Sequence, residues 1–329
     1  MNILITGSTG FIGSLTADIL AAQGHNIRCN IRKSSNLRWL KDKGFDLVNV
    51  DFQDLESIKL AVKDVDMIYH IAGATFARDE ADFMRSNRDA TRNLIEVAHR
   101  ECPNLKRFLF VSSQTVAGPA KSLDHPVTED MAPNPLTAYA RSKKAAEDEV
   151  LKFKDLMPIT IVRSPAVYGP RDTAILDMYK IVQKGIGPLI GMKPKYISLI
   201  HGQDLARGII MAAESPNTVG EIYYVTSSTV YSWHTLMDTM KHSLGKTFLI
   251  KIKIPHGIVM SVAASSEFIS RFKKNPEIFN RDKGRDFIQK YWICSNAKAL
   301  KDFGFVQEIE LKEGMKQTAD WYKQQGWLK

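Results

Sequence analysis

Apolar residues in the first third of the chain fall into short runs separated by stretches of helical spacing. Asn2 to Thr6 is such a run, a strand that begins almost at the amino terminus. Glycines at 7, 10 and 13 follow, and then Ser14 to Ala22 carries the apolar spacing and alanine content of a helix. His25 to Ile31 reads as a second strand and Phe45 to Val50 as a third, after which Asp54 caps a helix through Val62. Met67 to Ala72 is a fourth strand, closed by Gly73, and a long helix from about Glu80 to Arg100 leads to a fifth, Arg107 to Val111. Strand and helix alternate with short connections, which predicts an α/β chain with a doubly wound parallel sheet and right-handed crossovers. Ligands of such sheets bind beyond the carboxyl ends of the strands. Gly7, Arg32, Asp51, Gly73 and Ser112 all fall there.

The length, 329 residues, suits two lobes that share a cleft. Hydrophobic residues at 44% and charged residues at 25% describe a soluble globular enzyme rather than a disordered chain. No apolar run reaches the length of a membrane span, and the first strand leaves no room for a signal peptide, so a cytoplasmic location is expected. Cys29, Cys102 and Cys294 lack any ligand spacing, and no metal site is indicated. The net charge of +9 is uneven: residues 1–150 hold 19 Lys and Arg against 20 Asp and Glu, and residues 151–329 hold 26 against 16. A basic second half suits an anionic ligand, nucleic acid or a membrane surface, or is a solvated face.

Chemistry enters at the glycine turn. Gly7 lets the chain turn sharply, Gly10 lets the backbone approach a pyrophosphate, and Gly13 lets helix and strand pack closely. The phosphates then sit on free N–H groups at a helix amino terminus; the alternative is a tight turn with no ligand. The second strand ends Ile31-Arg32-Lys33 with no carboxylate to bind a ribose 2′-hydroxyl, which favours NADP over NAD. Asp51 can reach the adenine and Phe52 can cover its face. Further on, Tyr139 and Lys143 lie four apart on one helical face, in a helix running to about Phe153. A nearby ammonium stabilises phenolate and moves a tyrosine pKa down, making Tyr139 a plausible general acid/base. A serine at the end of the fifth strand can hold the same substrate oxygen.

The chain resembles the extended short-chain dehydrogenase/reductase family. The motifs that carry the resemblance are Thr6-Gly-Ser-Thr-Gly-Phe-Ile-Gly13, His70-Ile-Ala-Gly73, Asn87, Ser112-Ser113, Tyr139 with Lys143, and the stretch Arg163 to Arg171. The resemblance implies a Rossmann-type sheet with a smaller, discontinuous α/β substrate lobe. Residues 1–167 and 199–225 then form the dinucleotide-binding domain, and 168–198 and 226–329 the lobe. It makes Tyr139 the acid/base, Lys143 its partner and a ribose ligand, and Ser113, ahead of Ser112, the residue that orients substrate. It adds Thr9, Phe11, Ile12, Ala72, Asn87, Pro165 and Val167 to the cofactor set, and implies a homodimer. Gln114-Thr115 stands where the family's dehydratases carry an acidic pair, and Ala117-Gly118 where epimerases often have tyrosine and glycine. The ending of strand two looks like that of the dihydroflavonol-reductase and 3β-hydroxysteroid-dehydrogenase branch, whose substrates are apolar alcohols or ketones.

The expectation is thus an oxidoreductase acting on a fairly apolar carbonyl or alcohol. The alternatives are a nucleotide-sugar epimerase with retained NAD, and a non-enzymatic dinucleotide sensor or RNA-binding protein; nucleic acid is not the expected partner. His201, in SLIHGQDLARGI, is read as structural. Ile258, Met260, Val262, Phe268, Ile269 and Phe272, flanked by Lys251, Lys253, Arg271, Lys273 and Lys274, form a broad apolar helix face. That face is read as core-facing, with a lid or membrane contact as alternatives.

Overall fold

Seven parallel strands make the main sheet of the computed structural model, which describes residues 1–270 and 281–328. They are β1 (Asn2–Thr6), β2 (Asn26–Ile31), β3 (Asp46–Asn49), β4 (Met67–His70), β5 (Arg107–Ser113), β6 (Ile159–Ser164) and, after three strands outside this sheet, Glu221–Tyr224. Their spatial order, from β3 through β2, β1, β4, β5 and β6 to Glu221–Tyr224, is that of a doubly wound Rossmann fold. Side chains alternate across the sheet: Ile3 and Ile5 join one core cluster with Leu20, Leu205 and Ile209, while Leu4 joins the other with Ile68, Leu94 and Phe108. Both faces are covered, so β4 and β5 are buried along their whole length.

The helices are α1 (Phe11–Ala22), α2 (Leu55–Val62), α3 (Glu80–Phe83), α4 (Ala90–Glu101) and α5 (Ala138–Leu151). Helix α1 begins three residues before the expected Ser14, because Gly10 already takes the extended conformation of a cap. A π turn, Met84–Asp89, joins α3 to α4 where one continuous helix was expected. Strand β5 runs on to Ser113 because Ser112 and Ser113 pair with Arg163 and Ser164. Strand β4 stops at His70, since the N–H of Ala72 goes to the Thr6 hydroxyl.

The remaining strands are β7 (Ala166–Tyr168), β8 (Ile186–Ile190), β9 (Tyr196–His201), β10, the main-sheet strand Glu221–Tyr224, then β11 (Val230–Ser232), β12 (Ile250–Ile254) and β13 (Tyr291–Trp292). Strand β9 pairs with β7, β11 and β13 in a small sheet, and β12 pairs with β8. Residues 199–201 therefore belong to this small sheet, whereas α7 (Gly202–Glu214), which follows α6 (Leu176–Gln183), packs against α1 and β10 borders β6. A core built on Tyr168, Tyr179, Met237, Met315 and Tyr322 holds α6, α8 (Trp233–Ser243) and the last helix, Leu311–Gln324, together.

In α9 (His256–Ser270), Val259 and Ala263 are buried, while Ile258 and Val262 are 54% and 53% exposed. The expected core-facing stripe is thus turned by one residue, and Ile258 and Val262 face solvent. The side chains of Phe268, Ile269, Arg271, Phe272, Lys273 and Lys274 lie outside the described residues. Helix α10 (Arg281–Ile288) packs on α9, with Gly284 against Met260 and Ala263. Among the described residues no helix is long and apolar enough to cross a membrane.

Candidate active site

The glycine turn is bare backbone. The chain turns at Gly7 with φ +71°, and its N–H donates to Asn30 Oδ1 at 2.9 Å. A Cβ on Gly7 would lie 2.8 Å from the Ala72 nitrogen, and one on Gly13 would lie 2.2 Å from the Gly7 carbonyl oxygen. No side chain caps α1, and its first turn carries no acidic residue. The first N–H groups of a helix have no acceptor within it, so those of Phe11, Ile12 and Gly13 are open to an anion. Such a cradle, with Thr9 half-buried and Gly10 exposed beside it, fits a pyrophosphate.

The residues expected at the adenine end are less tightly gathered. Arg32 and Lys33 are exposed at the end of β2, and among the described residues the Arg32 guanidinium makes no ion pair. Asp51 is exposed and accepts the N–H of Gln53 at 2.9 Å. Phe52 is half-buried with its edge toward His70, ring centroids 5.9 Å apart. Pro165 is buried, and Val167 pairs with Ile200 between β7 and β9.

Buried hydrogen bonds run from the turn toward the tyrosine. Thr6 Oγ1 accepts the Ala72 N–H and lies 2.7 Å from His70 Nδ1; His70 Nε2 lies 2.9 Å from Thr91 Oγ1. Thr91 donates its only hydroxyl proton to the Asn87 carbonyl at 2.6 Å. It must therefore accept from His70, which fixes a neutral Nε2–H imidazole that accepts from Thr6 at Nδ1. Burial pushes the His70 pKa down to about 3. The Asn87 side chain clamps Ala74 through both its N–H and its carbonyl and donates to Ser142 Oγ, which donates to the Tyr139 carbonyl at 2.8 Å. The π turn that carries Asn87 thus ties the edge of the sheet to α5.

At the start of α5, Thr137 Oγ1 accepts the Ala140 N–H and an Asp282 carboxylate oxygen accepts the Ala138 N–H at 2.7 Å. Tyr139 is half-buried beside Phe83. One turn on, Lys143 is 4% exposed, donates to the Val111 carbonyl at 2.7 Å and lies 4.2 Å above the Phe110 ring. A Cβ on Gly73 would sit 3.3 Å from Asn87 Oδ1 and 3.5 Å from Lys143 Nζ, so these three converge. Burial pulls the Lys143 pKa down to about 7, against the attraction of Glu147. Tyr139 behaves contrary to expectation: burial, aided by the charge of Asp286, raises its pKa, and only the Ser113 hydroxyl opposes. Lys143 does not lower it here, because its ammonium is spent on the Val111 carbonyl and is itself desolvated.

Ser113 Oγ accepts from the backbone and the hydroxyl of Thr115 at 3.3 and 3.0 Å. Among the described residues, Ser112 Oγ and Gln114 Nε2 are buried without partners. His201 caps α7 by accepting the Gln203 N–H and packs edge-on to Tyr168, while Asp204 accepts the N–H groups of Glu308 and Ile309. These two hold the carboxyl-terminal segment to the sheet. Sequence reasoning passed over Asn30, Ser142 and Asp286; the only signal was a polar residue at a strand end, in the Tyr–Lys row, or one turn from another carboxylate.

With this geometry in hand, comparison with known proteins is direct. Residues 3–226 match the model of the NAD dependent epimerase/dehydratase family. The chain belongs to that family. It is an enzyme of the extended short-chain dehydrogenase/reductase type. It is 27% identical to a ceramide reductase of Caulobacter vibrioides, covering 99% of this chain and 96% of that one. It is 22% identical to a decarboxylating sterol-4-alpha-carboxylate 3-dehydrogenase of Dictyostelium discoideum, over 95% and 98%. In fold it matches the UDP-glucuronic acid 4-epimerase of Bacillus cereus, solved with UDP-glucuronic acid and NAD. That match has a TM-score of 0.77 and 22% identity, and covers 99% of this chain and 100% of that one.

Proposed function

We propose that this enzyme passes hydride between a nicotinamide cofactor and the carbonyl or alcohol carbon of a fairly apolar substrate. The observation that carries the reading is the convergence of Gly73, Asn87 and Lys143 one helical turn from Tyr139, with an uncapped α1 available for the pyrophosphate. When bound, the cofactor supplies or accepts the hydride. Tyr139 exchanges the proton with the substrate oxygen, and Ser113 holds that oxygen by its hydroxyl. Raised in pKa and protonated at neutral pH, Tyr139 is set to donate in carbonyl reduction. Residues 1–167 and 202–225 serve the cofactor; residues 168–198, with the small-sheet residues 199–201, and 226–329 serve the substrate.

Relatives named for a ceramide and for a sterol support a lipid-like substrate. Gln114 in place of an acid speaks against water elimination. The absence of a carboxylate after β2, with Arg32 free to meet a 2′-phosphate, supports NADP ahead of NAD, and the working form is a homodimer. Tyr139→Phe should lower turnover about 1,000-fold, roughly 4 kcal/mol of barrier, with cofactor affinity unchanged. Calorimetric titration of stripped protein with NADPH and NADH reads the affinity and the preference together. A purified protein that retains NAD and interconverts nucleotide sugars would replace this reading with epimerisation.

A further inference from the structure

A carboxylate in the second lobe has an oxygen that none of the described residues satisfies. Asp286 lies on α10, four residues and one turn after Asp282, so the two share a helix face. Asp282 is fastened to the site, its Oδ2 accepting the Ala138 N–H at 2.7 Å, one residue before Tyr139. Asp286 thus sits on the face of α10 that Asp282 turns to α5, and its charge acts on Tyr139. Its backbone carbonyl accepts Trp292 Nε1 at 2.7 Å, and buried Lys195 donates to the carbonyls of Phe287 and Gln289 at 2.8 and 2.9 Å. Gly284 lies against Met260 and Ala263 of α9. Helix α10 is held on three sides, and although Asp286 as a whole is half-buried, its Oδ1 is buried with no hydrogen-bond partner among the described residues. A buried acceptor left in this state destabilises the protein unless something else supplies the proton.

We propose that Asp286 is a specificity-determining residue that accepts a hydrogen bond from a substrate hydroxyl or amide N–H close to the reacting carbonyl. This rests on the carbonyl–alcohol reading of the Tyr139 site. It narrows the substrate from an apolar ketone to one that carries a donor beside the ketone. Burial, together with the neighbouring Asp282, raises the Asp286 pKa to about 6 against the pull of Lys283, so the side chain is still mostly acceptor at pH 7. Discrimination follows from the same cost: a substrate without a donor leaves Oδ1 unpaired in the closed site.

The test uses α-hydroxyacetophenone and its methyl ether with NADPH and the full-length enzyme, comparing kcat/KM. The native enzyme should prefer the hydroxy ketone by about 100-fold. Asp286→Ala should bring the ratio to near one, and Asp286→Asn, which keeps a weaker acceptor, should leave it in between. Asp282→Asn is the structural control: loosening the contact with α5 should slow both ketones alike and keep the ratio. Equal use of both ketones by the native enzyme, or an unchanged ratio in Asp286→Ala, overturns the assignment alone. Reduction of neither ketone by protein that binds NADPH overturns the carbonyl reading and this inference with it.

Discussion

Helices α1 and α5 both start from the carboxyl-end edge of the same sheet, and their amino termini are finished in opposite ways. The start of α1 has a glycine cap, no side-chain hydrogen bond and no acid in its first turn. The start of α5 is closed by Thr137 and, from 144 residues further along the chain, by Asp282. An open terminus presents backbone donors to an anion, and a capped one has fewer to offer but holds its side chains still. On the proposed function, one sheet edge separates two tasks, binding phosphate with backbone and doing chemistry with side chains.

The open end breaks most severely. Gly13→Ala puts a methyl group 2.2 Å from the Gly7 carbonyl, a backbone atom that cannot yield without moving the turn. The expected cost is about 3 kcal/mol of stability, with dinucleotide affinity lost. Urea denaturation and calorimetry of the same sample measure both. If the variant binds NADPH normally, α1 is not the phosphate site.

Between the two ends stands His70, whose hydrogen bonds join Thr6 to the segment that holds α5. Its folded pKa is near 3, while an unfolded histidine titrates near 6.5. Between those values the unfolded chain binds a proton that the native protein does not. Stability therefore rises with pH through this window, and is lost as pH falls below about 6.5, by up to about 1.4 kcal/mol per unit. Comparing urea unfolding at pH 5 and pH 7, native protein should lose about 2 kcal/mol more than His70→Asn. His201, also held low by burial, is present in both proteins and cancels. Equal losses would mean that His70 is not the buried neutral link.

How much of this was legible in the sequence depends on the range of the interaction. Strand β1 was readable residue by residue, since its apolar run is unbroken and its side chains alternate between two cores. The end of β5 was not, because Ser112 and Ser113 are polar and join the ladder only when β6 is beside them. The π turn left no trace in residue spacing, yet it determines where Asn87 points. Tyr139 and Lys143 were visible as a pair. The direction of the tyrosine shift was not, because burial and the Val111 carbonyl outweigh a charge one turn away. Asp286 was invisible for the plainest reason: its neighbours at Tyr139 are far along the chain.

The smallest perturbation is aimed at the closed end. Thr137→Ala removes the hydroxyl that accepts the Ala140 N–H and leaves the Asp282 contact in place. Losing such a cap costs about 1 kcal/mol, measurable as a shift of the urea midpoint. Its functional signature is the sharper reading. Because Thr137 immediately precedes the helix that carries Tyr139, kcat should fall a few-fold while the NADPH dissociation constant stays the same. Gly13→Ala acts the other way round, on affinity. If Thr137→Ala weakened NADPH binding as much as turnover, the two helix termini would not be independent. The hydrogen bonds through His70, Asn87 and Ser142 would then couple them as one unit, and the double variant His70→Asn with Thr137→Ala would cost less than the sum of its parts.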